Sequence, residues 1–132
     1  MSYTEHPDAK VVRWFYDAFG RSDLDTARTC FARDAVWYLP GRSPIAGEHR
    51  GVDAIMRLLG KLRADSGGTF KPELTDVVAN DRHAVALQHA TGTRGTKHLD
   101  ITVCQLMRIR DGKILEVRSH YSDQYALDDF WS

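Results

Sequence analysis

The stretch Lys97–Asp123, KHLDITVCQLMRIRDGKILEVRSHYSD, constrains the fold more than any other part of the chain. Two runs rich in β-branched and aliphatic residues flank Arg110-Asp111-Gly112-Lys113. Asp-Gly between such runs is a strong hairpin signal, because both positions tolerate positive φ. Side chains alternate across a strand, so Ile101, Val103, Gln105 and Met107 share one face of the first arm. Thr102, Cys104, Leu106 and Arg108 share the other. On the second arm Leu115, Val117, Ser119 and Tyr121 alternate with Glu116, Arg118 and His120. Neither face is fully polar, so both are expected to be covered, one by the domain's own helices and one by a partner.

A chain of 132 residues is expected to form one domain, 1–132, with a real core. Lys plus Arg and Asp plus Glu number 18 each, so the formal net charge is zero. That balance argues against a nucleic-acid partner, which calls for a basic surplus. The opening residues are polar, and no window approaches a membrane span. The expectation is a cytoplasmic protein in which Cys30 and Cys104 are free thiols.

Read in order, Thr4-Glu5-His6-Pro7 looks like a helix entry, followed by an apolar stripe of Val11, Val12, Phe15 and Phe19 that ends at Gly20. Ser22 or Asp23 caps a second helix with Leu24, Ala27, Cys30 and Phe31 inward. A short strand is expected at Ala35–Leu39, with Trp37 and Leu39 facing one way and Tyr38 the other. Pro40–Gly47 reads as a loop, and His49 as part of a solvated charge cluster. A third helix runs from Val52 to about Ala64, with Ile55, Leu58, Leu59 and Leu62 as its apolar face. Strands at Thr69–Val78 and Ala84–Thr93 precede the hairpin. The apolar tail Tyr125–Trp131 is expected to pack on the body. Helices followed by consecutive strands form an α+β pattern. A sheet of this length curls over its helices and leaves an apolar hollow suited to a small ligand.

The chain resembles the SnoaL-like group of the ketosteroid isomerase-like, or nuclear transport factor two-like, superfamily. The carriers are Phe15–Leu24, Phe31–Trp37, Pro40–Pro44, Gly47–Gly51, Arg110–Ile114 and Tyr121–Asp123, in that order and spacing. The resemblance implies a cone-shaped, curved antiparallel or mixed sheet with three N-terminal helices on its concave face, a cystatin-like α+β barrel. It implies pairing of two copies through the outer sheet face. It does not fix an activity, since the fold hosts isomerases, hydrolases, cyclases and non-catalytic binders.

The residues that carry chemistry in relatives are replaced here. The carboxylate base of ketosteroid isomerases, one of the best-known cases of pKa tuning, falls on Leu39. Its helix-one tyrosine falls on Phe15, and its strand aspartic acid on Gln105. The Asp–Arg–Asp set of limonene epoxide hydrolase-like members falls on Leu87, His89 and Ser119. Strand alternation assigns His89, Gln105 and Tyr121 to the hollow as the candidate catalytic set, with His89 as general base or acid. The competing reading makes His89 a core or rim histidine. The pocket wall is expected to comprise Phe15, Tyr16, Trp37, Leu39, Ile55, Leu59, Leu87, Val103 and Ser119. No metal set and no cofactor are expected. Three functions follow: a cofactor-independent SnoaL-like enzyme acting on a small apolar molecule, a non-catalytic binder of such a molecule, or a dimeric interaction module.

Overall fold

The computed structural model describes residues 5–132. Thr4, read as part of the first helix entry, lies outside them. Helix α1 spans Pro7–Gly20. Pro7 stands at its start, where a missing N–H is not needed, and the His6 ring accepts from Asp8 N at 3.1 Å. Helix α2 spans Leu24–Thr29, and its cap Asp23 accepts from Thr26 N at 3.1 Å. Helix α3 spans Val52–Asp65 and follows Gly51, whose φ of 86° suits glycine alone.

Six strands form one sheet: β1 (Phe31–Leu39), β2 (Gly47–Arg50), β3 (Lys71–Ala79), β4 (Ala84–Arg94), β5 (Lys97–Arg110) and β6 (Lys113–Tyr121). Their order across the sheet is β2-β1-β6-β5-β4-β3. β1 and β6 run parallel, and every other neighbouring pair is antiparallel. The expected hairpin joins β5 to β6. Asp111 and Gly112 take φ of 52° and 75°, the doubly positive turn that matches strand twist. Register shifts at Phe31/Val36, Leu74/Asp76 and Arg108/Ile109 add local twist. The last of these turns Ile114 inward and leaves Leu115 half-buried, which corrects the grouping of Leu115 with Val117. β2 corrects the reading of 47–50 as loop. It lacks β-branched residues and is a strand because it pairs with β1, so that His49 lies opposite Trp37.

The helices pack against the concave face. α1 buries Val12, Phe15, Tyr16 and Phe19. Phe15 is the hub of an aromatic cluster, with ring centroids 5.1 Å from Phe31, 5.4 Å from Tyr16 and 6.2 Å from Trp37. A fourth helix, α4 (Gln124–Trp131), adds to the three expected at the N-terminal end. It buries Leu127, Phe130 and Trp131. Its last carbonyls accept from cations of the β4–β5 turn: Arg94 reaches Phe130 O at 2.6 Å, and Lys97 Nζ reaches Asp129 O at 2.8 Å. Gly92 makes room for this helix, because a Cβ there would stand 3.1 Å from the Phe130 ring. Among the described residues no helix is long and apolar enough to cross a membrane.

Candidate functional site

The hollow lies between the concave sheet face and α1, α3 and α4. Its volume is about 50 Å³. A cavity of ~150 Å³ holds benzene, so a ring-sized guest requires this one to widen. Of the wall residues expected from sequence, Phe15, Tyr16, Trp37, Leu39, Leu59 and Val103 line it. Gln105 and Tyr121 also face it, together with Gln88.

Four expectations are corrected. His89 points to the convex face, with its side chain 42% exposed, and its Nε2 lies 2.6 Å from Asp100 Oδ1. Leu87 shares that face and is only half-buried. Ile55 is fully buried in the core behind the hollow and does not border it. Ser119 points inward but is covered by its neighbours, so it acts on the hollow through them.

The first two corrections share one cause. β4 is Ala-Val-Ala-Leu-Gln-His-Ala-Thr-Gly-Thr-Arg, and its larger aliphatic residues, Val85 and Leu87, are on the outside. Ala84, Ala86, Gln88, Ala90 and Gly92 face inward, where the helices come close. The signal was present in the turn. Gly95-Thr96 is a two-residue connection, so Arg94 pairs with Lys97 and Gln88 comes opposite Val103. Directly paired residues share a face. The inward set of β5 therefore carries Gln88 inward with it and turns His89 out with Thr102. Gln88 is the residue that sequence reasoning missed.

The concave polar groups form two wired units. In the first, the Trp37 indole Nε1–H donates to Ser119 Oγ at 2.9 Å, and Ser119 donates to Gln105 Oε1 at 2.5 Å. In the second, the Tyr16 hydroxyl donates to Gln88 Oε1. Gln88, Val103 and Tyr121 lie in one row across β4, β5 and β6, and Ala86, Gln105 and Ser119 in the next. Burial pushes the Tyr16 hydroxyl far above its ordinary value, with Tyr121 adding to the shift. Burial also pushes Tyr121 up to about 12; the neighbouring Ser119 hydroxyl offsets part of this, and the Asp128 carboxylate adds to it. Both phenols therefore stay neutral at physiological pH. Among the described residues lining the hollow there is no carboxylate, histidine, lysine or arginine. No group of three or more His, Cys, Asp or Glu among the described residues is placed to hold a metal ion.

The loop at 40–43 is tied to α4 beside the hollow. Asp128 Oδ1 on α4 accepts from the backbone N of Arg42 and Ser43 at 3.1 and 3.3 Å, and from Gln124 Nε2 at 3.2 Å. Gly41 has a φ of 104°, and a Cβ there would stand 2.3 Å from the Asp128 and Gln124 side chains. Ile45 beyond this loop and Leu127 and Trp131 from α4 line the hollow.

A curled mixed sheet folded over helices around an apolar hollow defines the cone-shaped α+β class of small domains. Within that class the chain belongs to the SnoaL-like domain family, whose model matches residues 12–117. It is 34% identical over 130 residues to uncharacterized protein Rv0034 of Mycobacterium tuberculosis, covering 98% of this chain and 99% of that one. Among solved structures it is similar to Bal32a from a soil-derived mobile gene cassette, at 37% identity and TM-score 0.92, covering 96% and 97% of the two chains. A Xanthomonas campestris protein of unknown function with a cystatin-like fold matches at 29% identity and TM-score 0.89, covering 95% and 98%.

Proposed function

We propose that this protein binds a small, largely apolar molecule in the hollow and does not itself carry out proton transfer on it. The observation that carries this reading is the chemistry of the wall. Its polar members are neutral amides and phenols, and its one candidate base, His89, stands on the opposite face. A general base should titrate near working pH, and a phenol near 12 is too weak an acid to substitute. The apolar majority of the wall favours a guest with a hydrocarbon body. A ring-sized guest requires the hollow to widen from its volume of about 50 Å³.

In the same proposal the convex face pairs with a second copy. Val78 is 60% exposed there, and Val85, Leu87 and Leu106 are half-buried beside the exposed Cys104. Light scattering at micromolar concentration should give a dimer.

Native mass spectrometry of the freshly purified protein tests the main reading. A co-purifying apolar metabolite that is released unchanged supports it. Conversion of that metabolite by the protein, abolished in Tyr121→Phe, would replace binding with catalysis.

A further inference from the structure

The wiring of the concave wall goes further than apolar binding, because it fixes which atoms the wall shows to a guest. An indole nitrogen can only donate. Since Trp37 Nε1–H lies 2.9 Å from Ser119 Oγ, the serine oxygen is the acceptor in that contact. The single hydroxyl proton of Ser119 then goes to the Gln105 carboxamide at 2.5 Å rather than to the neighbouring Tyr121 hydroxyl, which can itself donate. Only an oxygen can accept it, so Gln105 directs Oε1 at Ser119 and turns Nε2 away. The orientation of this amide thus follows from a donor-only group two steps back along the chain of bonds.

The Gln105 nitrogen is not sealed in the core. The one fully buried side-chain polar atom without a partner among the described residues is Ser43 Oγ, so Gln105 Nε2 is not a buried orphan. Gln105 borders the hollow, so its N–H₂ opens onto it. The oxygen of Gln88 is likewise occupied, by Tyr16, which leaves a second amide nitrogen in the wall. Tyr121 is the adaptable member, since its hydroxyl can donate or accept.

We propose that Gln105 is a fixed hydrogen-bond donor at the polar end of the hollow, that Trp37 and Ser119 are the positioning residues that set its polarity, and that the ligand is therefore an apolar molecule bearing a neutral oxygen acceptor, such as a ketone, enone or lactone carbonyl. This rests on the pocket reading and adds ligand polarity to it. A carboxylate is disfavoured, because no cation lines the hollow to offset its desolvation. A guest whose only polar group is an N–H finds one lone pair of each amide oxygen already used, and it leaves the Gln105 donor unmet.

The test compares 1-indanone with indole, and the smaller cyclopentanone with pyrrole, binding being followed through the Trp37 indole and side-chain amide resonances. The ketone of each pair should bind about tenfold more tightly than its N–H counterpart, the scale of one well-made hydrogen bond against an unmet donor. The carbonyl stretch of bound 1-indanone should lie at lower wavenumber than in hexane. Trp37→Phe removes the donor that sets the relay and keeps an aromatic ring. It should bring the ketone-to-N–H ratio toward one. Gln105→Leu should return the carbonyl stretch of bound 1-indanone toward its hexane value. Equal binding of ketone and N–H probes by the unaltered protein, an unshifted carbonyl band, or a ratio unchanged in Trp37→Phe overturns the inference and leaves the pocket reading standing. If no probe of either size binds, the pocket reading fails, and this inference falls with it.

Discussion

Gln88 and His89 are consecutive residues on β4, yet they occupy two different electrostatic worlds. Gln88 faces inward, is 6% exposed, and accepts a hydrogen bond from a buried phenol. His89 faces outward and meets Asp100, whose side chain is 78% exposed. The same contrast runs across the sheet. On the concave side the Trp37–Ser119–Gln105 and Tyr16–Gln88 groups are neutral and bonded to one another. On the convex side Arg118 stacks 4.0 Å from the Tyr38 ring and reaches Glu116 at 2.6 Å. Desolvation explains the division. An unmet buried polar group costs about 1–3 kcal/mol, whereas an exposed ion pair is worth roughly 0–1. Sequence letters that look catalytic can therefore be inert when they sit in water, while a glutamine that looks structural can define a site.

The largest expected effect breaks the concave side. Trp37→Ala removes a buried ring and the donor to Ser119, and should lower stability by about 3–5 kcal/mol in urea unfolding. A loss below about 1 kcal/mol would show that the concave wall is not the load-carrying half of the comparison. Next, Tyr16→Phe leaves Gln88 Oε1 without its donor at unchanged shape, and about 1–3 kcal/mol should be lost. A thermal midpoint equal to that of the parent would mean that this pair contributes nothing.

The third prediction uses pH. Tyr121 titrates near 12 in the folded protein, above the ~10 of a free phenol. Below pH ~10 both states keep the proton, and the stability is fully present. As pH rises from ~10 toward ~12 the unfolded chain releases its proton first, so stability falls, by about 1–2 kcal/mol for this group. Tyr16 acts in the same direction. Tyr121→Phe should flatten part of that alkaline slope, and identical slopes in parent and variant would contradict the burial of the phenol. The smallest effect belongs to the convex side. His89→Ala should change stability by no more than about 0.5 kcal/mol and leave 1-indanone binding intact. A loss of ligand binding in that variant would reverse the comparison.

The sequence by itself determined the α+β class, the Asp111-Gly112 hairpin, three of the four helices and the inward face of β5. These follow from local rules: an Asp-Gly turn accepts positive φ, and apolar spacing of three and four residues marks a helix face. It also held Trp37, Gln105 and Tyr121, which border the hollow, on alternating positions that needed no partner to read. Tertiary structure alone decided the rest. It turned 47–50 into a strand by pairing those residues with β1, and it folded the tail into a helix whose end carbonyls meet Arg94 and Lys97. It also chose which side of β4 faces the helices. Alternation gives a strand its period but not its phase. Where both faces carry apolar residues, the phase is set by the pairing register and by how closely the opposite helix approaches. Here Gly95-Thr96 fixed the register, and the near contact of Phe130 with Gly92 left room inside for only small residues and one amide.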